Sequence, residues 1–429
     1  MDADIIVIGA GLAGLQAARR LQRSGRRVRV LEAEGSVGGR VRTDRIDGFL
    51  CDRGFQVLNP AYPAVRAWVD TDALDLQRFG VGAAIRDRDG ISVLAHPLRH
   101  PRQLPGTLRS PRLDPRDVLA LSRWLGPTLL RATVSSRSAA DAPLGAALDH
   151  AGLTGPLRRH LLDPFLAGVL AEDAQSTSAN FVRLLLRSFA LGAVGLPAAG
   201  MQALPEGMAA DLRDPVRLSR PVRSVATRAD GVTVGTDHGP LHARAAVVAV
   251  DPGAVPGLTA LPAPPMHGLV TWWFSAPEPP RRGRFLLLDA SGAGGRPAGP
   301  VQDTAVVSEV APSYAPADRA LVQATTLRPA AGEPADEQAV RQHLEHLYGV
   351  PTRRWELVVR HDVPHALPAQ PSPLVDRRPQ RIGPRLWVAG DHRDTASIQG
   401  ALVSGDRAAL DVHAVLDGAA PADRDGPRS

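Results

Sequence analysis

Lysine is missing altogether from this 429-residue chain: all 50 of its Lys+Arg residues are arginine, against 44 acidic residues, for a formal net charge of +6. The arginines run along the whole chain and do not gather in a stripe, which fits a solvated surface and argues against nucleic-acid binding. Cysteine is nearly missing too, since Cys51 is the sole thiol. That excludes intramolecular disulfides, paired-cysteine redox chemistry and cysteine-based zinc or iron–sulfur centres, so no metal is expected and a reducing cytoplasm is the default compartment. Aromatic residues make up 4%, with three tyrosines among them. No apolar run reaches the roughly 20 residues of a membrane span; Leu184-Leu185-Leu186, for example, is bracketed by Arg183 and Arg187. Peripheral membrane contact stays open. The N-terminus passes from Met1-Asp2-Ala3-Asp4 into an apolar strand without a basic region or cleavage site, so no secretion signal is expected.

What is present is an ordinary globular composition, 44% hydrophobic, at a length that supports two or three domains. Residues 4–33 read as one βαβ unit: Ile5-Ile6-Val7-Ile8 is a buried strand, Leu12 to Ser24 a helix ended by Gly25, and Val28 to Glu32 a second strand. Prolines and arginines punctuate short helical candidates from about 83 to 197, among them one opened by Asp114 as N-cap with Pro115 at the first helical position. Residues 215–250 predict a β-meander, and 268–326 further strands around a Gly/Pro-rich loop at Ala290–Pro300. An amphipathic helix is predicted over Asp336–Tyr348 with Val340, Leu344 and Leu347 inward, and a last strand at 385–389 precedes a helix from Ile398 to Leu416.

Three motifs carry chemistry. Gly9-Ala10-Gly11-Leu12-Ala13-Gly14 sits between a strand and a helix, where Gly9 permits the tight turn, Gly11 lets a pyrophosphate approach the backbone and Gly14 lets helix and strand pack closely. The helix N-terminus then stabilises phosphate charge. Glu32, followed by Ala33, lies 18 residues past Gly14 at the end of the second strand, where a carboxylate accepts ribose hydroxyls. The second motif is Gly38-Gly39-Arg40-Val41-Arg42-Thr43, whose glycines allow backbone approach and whose Arg40 and Arg42 can neutralise phosphate. The third is Trp387-Val388-Ala389-Gly390-Asp391 followed by Ser397-Ile398-Gln399-Gly400-Ala401, an apolar strand, a loop and a helix start with anion-binding geometry.

On these residues the chain resembles the flavoprotein superfamily of amine oxidases, protoporphyrinogen oxidase and phytoene-type desaturases. The resemblance implies FAD as cofactor. It also implies that Gly54, Phe55 and Gln56 neighbour the isoalloxazine, that Gly390 and Asp391 meet the ribityl-pyrophosphate region, and that Ile398, Gln399 and Ala401 lie at the pyrimidine edge. Val222, in the meander, is placed like the family valine that offers backbone hydrogen bonds to adenine. The implied fold is α/β: a Rossmann-type FAD domain of parallel sheet plus β-meander with a second, α+β substrate domain. The FAD domain comprises residues 1–82, 198–262 and 365–417, the substrate domain 83–197 and 263–364, and residues 418–429 form a disordered polar tail.

Amine oxidases of this superfamily generally place a lysine near flavin N5, which this chain cannot supply. The stretches Pro164-Phe165-Leu166-Ala167-Gly168-Val169, read as preceding a helix, and Gly200-Met201-Gln202-Ala203-Leu204-Pro205 resemble the desaturase and protoporphyrinogen-oxidase branch. That branch implies hydride transfer from a C–H bond of an apolar isoprenoid or polycyclic substrate to N5, in a dry pocket. Alternatives are an amine oxidase without the lysine, a reduced-flavin isomerase with no net redox change, and a FAD-binding protein without turnover. FAD is expected to be non-covalent, because attachment through a C-terminal cysteine has no thiol to use. Candidate catalytic groups are His392, Glu206, Trp272 and Tyr314, each also readable as structural. The His96–Arg112 stretch reads as a solvated loop or as a basic lip touching a lipid surface.

Overall fold

The computed structural model describes residues 1–130, 141–329 and 331–418; the expected polar tail lies, but for Gly418, outside them. Strand Ala3–Ile8 pairs in parallel with Val28–Leu31 on one side and with Gly239–Val248 on the other. The latter pairs in parallel with Leu386–Val388. Because a parallel sheet is covered on both faces, the central strand has no polar side: Ile5 and Val7 pack toward helix Leu12–Arg23, and Ile6 and Ile8 toward Val232, Val234 and Val255. The meander is antiparallel, Val222–Thr227, Val232–Thr236 and Gly239–Val248, and its last strand runs on into the parallel sheet. Helix Ile398–Leu416 crosses Leu12–Arg23 closely, since a Cβ at Gly405 would overlap the Ala13 carbonyl oxygen. The first and last long helices therefore lie together on one face of one domain.

A second, seven-stranded sheet runs in the order Glu356–Pro368, Met266–Ala276, Ala320–Arg328, Val301–Val306, Leu286–Asp289, Gly82–Asp87, Gly90–Ala95. It is antiparallel except where Leu286–Asp289 meets Gly82–Asp87. Trp272, Phe274 and Val322 on one face pack against helix Glu337–Tyr348 through Val340, Leu344 and Leu347, the three positions read as inward. A third apolar cluster joins helices Pro115–Leu130, Leu144–His150, Asp163–Leu170 and Ala179–Leu191.

Two local readings shift. The Pro164–Val169 stretch does not precede a helix but forms one, Asp163–Leu170, since proline is tolerated in a first turn where its missing N–H leaves no bond unmade. Strand Glu356–Pro368 belongs wholly to the second sheet and carries it past residue 364.

Candidate functional site

A cavity of about 1280 Å³ lies between the two sheets and the helical cluster. Typical ligand pockets enclose roughly 300–1,000 Å³, so this one has room for a dinucleotide and a second molecule. All three motifs meet in its wall. Gly9, Gly11, Leu12, Ala13, Glu32, Ala33, Gly38, Gly39, Arg40, Arg42, Gly54, Phe55, Gln56, Val222, Gly390, Asp391, Ile398 and Ala401 line it, whereas Gly14 and Gln399 do not. A Cβ at Gly14 would overlap the Gly9 carbonyl oxygen, so that glycine serves helix–strand packing. Gln399 accepts a hydrogen bond from the Ala64 amide at 2.8 Å and joins the last helix to the body of the domain.

The glycine loop is built to hold an anion. Gly9 sits at φ +101°, and a Cβ there would overlap the Ala249 carbonyl oxygen. No side chain caps helix Leu12–Arg23, which leaves its first-turn amides to a ligand. Glu32 accepts from the Ala10 amide at 2.7 Å and from the Glu34 amide at 3.0 Å, so it fixes the loop while lining the cavity. The Gly38 amide donates to the Ala10 carbonyl at 2.9 Å, and Gly38 and Gly39 both take positive φ, which brings the second motif against the first.

The two arginines of that motif divide their tasks. Arg40 donates to Asp391 Oδ1 at 2.6 Å and to the Ala366 carbonyl at 3.0 Å, so its guanidinium ties the second motif to the third and to the substrate-domain strand. Arg42 keeps a buried Nε without a partner. Gln56 donates to the Arg40 carbonyl at 2.9 Å, while its Oε1 is buried and unpartnered. Unmade hydrogen bonds of this kind are costly inside a protein unless a ligand completes them. Together with the uncapped helix, they fit FAD.

Beyond the dinucleotide-binding wall the cavity is bounded by Phe165, Val169, Phe181, Leu185, Leu186 and Phe189. Asp303 and Thr325, from the second sheet, complete that part of the wall. Burial raises the Asp303 carboxyl to about 7, against a hydrogen bond from Thr325 that pulls the other way. Sequence reasoning passed over Asp303. Its signal was an acidic residue inside the apolar strand Val301-Gln302-Asp303-Thr304-Ala305-Val306, where β propensity disfavours it.

None of the four catalytic candidates lines the cavity. Tyr314 donates to Asp52 Oδ2 at 3.0 Å in the core between the domains. Burial raises Asp52 to about 6, and hydrogen bonds from Thr43, the Met201 amide and Tyr314 oppose the shift. Trp272 points to the far face of its sheet, with Nε1 donating to Thr326 at 3.3 Å. Glu206 is exposed on helix Ala203–Ala210. His392 is buried with both ring nitrogens unpartnered, and burial depresses it to about 4. Cys51 is fully buried and also away from the cavity, so it offers the flavin no point of attachment.

The model of flavin-containing amine oxidoreductases matches residues 12–413. The chain belongs to that family. Its cofactor is accordingly FAD, bound non-covalently. Among curated relatives, putrescine oxidase of Kocuria rosea is 31% identical over 290 residues, covering 59% of this chain and 57% of its own length. Protoporphyrinogen oxidase 2 of Arabidopsis thaliana is 29% identical over 177 residues, covering 41% and 34%. The aligned stretch thus spans little more than half the length of the first of these relatives and about a third of the second. Among solved structures, an oxidoreductase from Methanosarcina mazei superposes with a TM-score of 0.70 at 16% identity, covering 94% of this chain and 98% of the other. A fatty acid isomerase from P. acnes gives 0.69 at 16%, covering 94% and 97%. At such identities these likenesses concern the fold. No helix among the described residues of this flavoprotein is long and apolar enough to cross a membrane.

Proposed function

We propose that this flavoprotein dehydrogenates a largely apolar substrate, of isoprenoid or polycyclic character, by hydride transfer from a C–H bond. The observation that supports this most is the aromatic and aliphatic wall of Phe165, Val169, Phe181, Leu185, Leu186 and Phe189 in the same cavity as the FAD-binding motifs. Bound FAD supplies the two-electron acceptor. The chain's own contribution is placement and exclusion of water: the apolar wall favours a hydrocarbon surface at about 25 cal/mol per Å² buried, and a fixed approach lowers the barrier without a strong base. At the other end, the amides of helix Ile398–Leu416 stabilise negative charge, with Ser397 capping only the Gly400 amide at 3.1 Å. The missing lysine supports this reading over amine oxidation. Leu98 and Leu108, 87% and 70% exposed among Arg99, Arg102 and Arg109, further suit contact with an anionic lipid surface from which such a substrate would be drawn.

The test is anaerobic mixing of the FAD-loaded protein with linear polyenes, cyclic tetrapyrrole precursors and a panel of amines. Bleaching of the flavin by a polyene or tetrapyrrole and not by amines is expected. Bleaching by amines alone would overturn the proposal, and product formation only after prereduction, with no net change in flavin redox state, would identify an isomerase.

A further inference from the structure

Asp303 stands where a purely hydrocarbon-binding chamber has no use for it. It lies in strand Val301–Val306, directly opposite Thr325, which in turn lies opposite Thr271 on the next strand. Side chains directly opposite share one face of a sheet, and Asp303 and Thr325 both line the cavity. Gln323, two residues from Thr325, donates from Nε2 to the Thr325 hydroxyl at 2.6 Å. That orients Thr325 to give its own proton to the Asp303 carboxyl, the hydrogen bond noted above. Its Oδ1 has no hydrogen-bond partner among the described residues, and Asp303 is only 5% exposed.

The helix across from it leaves room for this arrangement. A Cβ at Gly168, in helix Asp163–Leu170, would overlap Asp303 Oδ2, so the side chain that would crowd the carboxyl is missing at that position. A buried carboxyl without its full set of partners costs stability, and no ion pair to Asp303 is formed among the described residues to offset that cost. Gly168 from the helix and Thr325 from the sheet lie against it, with the Tyr348 hydroxyl group close enough to interact with its charge. Such a group is retained at a cavity wall when a ligand completes it.

The geometry points to Asp303 as the anchor for one hydrogen-bond donor, a hydroxyl or a ring N–H, on an otherwise apolar substrate. This rests on the apolar-substrate reading and refines it: the substrate carries a single donating head group on a hydrocarbon body. Asp303 is thus a residue that selects and positions substrate, with Thr325, held by Gln323, beside it on the same face of the sheet.

Paired probes separate the two readings. Binding of 1-decanol and of its methyl ether to the oxidised, FAD-loaded protein is followed through the visible flavin spectrum. The two share an apolar chain, and only the alcohol donates. A hydrogen bond to the carboxyl corresponds to roughly a tenfold tighter binding of the alcohol. Asp303→Asn keeps the shape but replaces one acceptor oxygen by an amide N–H, so the preference falls to one or inverts toward the ether. Gly168→Ala, which raises helix propensity and displaces the carboxyl, lowers the alcohol preference while leaving the ether's affinity within about twofold. Equal binding of alcohol and ether to the unaltered protein, or an unchanged ratio in Asp303→Asn, would overturn the anchor and leave the apolar chamber standing. If neither probe binds the unaltered protein, the apolar-substrate reading itself fails, and the anchor with it.

Discussion

Replacing Arg40 by methionine isolates the contact on which the assembled site depends. The guanidinium bridges Asp391 Oδ1 at 2.6 Å and the Ala366 carbonyl at 3.0 Å, joining segments more than three hundred residues apart. Side-chain exposure is 27% for Arg40 and 6% for Asp391, so the substitution leaves a buried carboxylate without its cation. Removing one partner of a buried pair costs about 3–5 kcal/mol, and the partial exposure of Arg40 brings the expectation down to about 2–3 kcal/mol. That corresponds to a roughly 30- to 150-fold fall in the folding equilibrium constant. Urea unfolding of FAD-free protein measures it without a contribution from bound cofactor. The double variant Arg40→Met/Asp391→Asn removes the stranded charge and recovers at least half of the loss, giving a coupling of about 1–2 kcal/mol. A single-variant cost below about 0.5 kcal/mol, the range of an exposed ion pair, would refute the assignment of Arg40 as the tie between the motifs.

Gly9→Ala forces a Cβ onto the Ala249 carbonyl at φ +101°, so it lowers stability by about 2 kcal/mol or more and yields protein without flavin absorbance. His392 is held neutral, its value depressed from 6.5 to about 4 by burial, so its contribution is complete above pH 6.5 and is lost as pH falls through about 4. His392→Gln therefore flattens the acid side of the stability profile by about 2–3 kcal/mol, read from urea midpoints between pH 7 and pH 4. Acid precipitation of the holoprotein leaves all FAD in the supernatant, as expected when the one thiol, Cys51, is fully buried away from the cavity. Sedimentation with anionic phospholipid vesicles is reduced at least fivefold by Leu98→Glu/Leu108→Glu, which removes the two exposed apolar anchors while leaving neutral vesicles unbound in either case.

Much of the dinucleotide-binding wall was legible because its chemistry is local. A glycine at a tight turn, a helix start and an acid at a strand end lie within thirty residues, and their spacing alone brings them together. The meander and helix Glu337–Tyr348 were legible for the same reason, through period-two and helical periodicity. What sequence did not disclose depends on contacts between distant segments. Arg40 could be read as a phosphate neighbour, but its bond to Asp391, 351 residues away, could not be read from the chain. Asp303 acquires significance only when helix Asp163–Leu170 places Gly168 against it and Thr325 opposes it across the sheet. Tyr314 and Trp272 read as possible substrate contacts because aromatic side chains suit both a pocket and a core, and their burial behind Asp52 and helix Glu337–Tyr348 is a property of tertiary packing.

Calorimetric titration of the FAD-free protein with FAD, and separately with NAD, bears most directly on the central claim that the three motifs form one FAD site. One equivalent of FAD should bind per chain, with affinity at least tenfold weaker in Arg42→Met, which removes a cavity-lining arginine, and NAD should not compete. Saturable binding of NAD in place of FAD, or FAD affinity indifferent to Arg42→Met and Gly9→Ala, would contradict it.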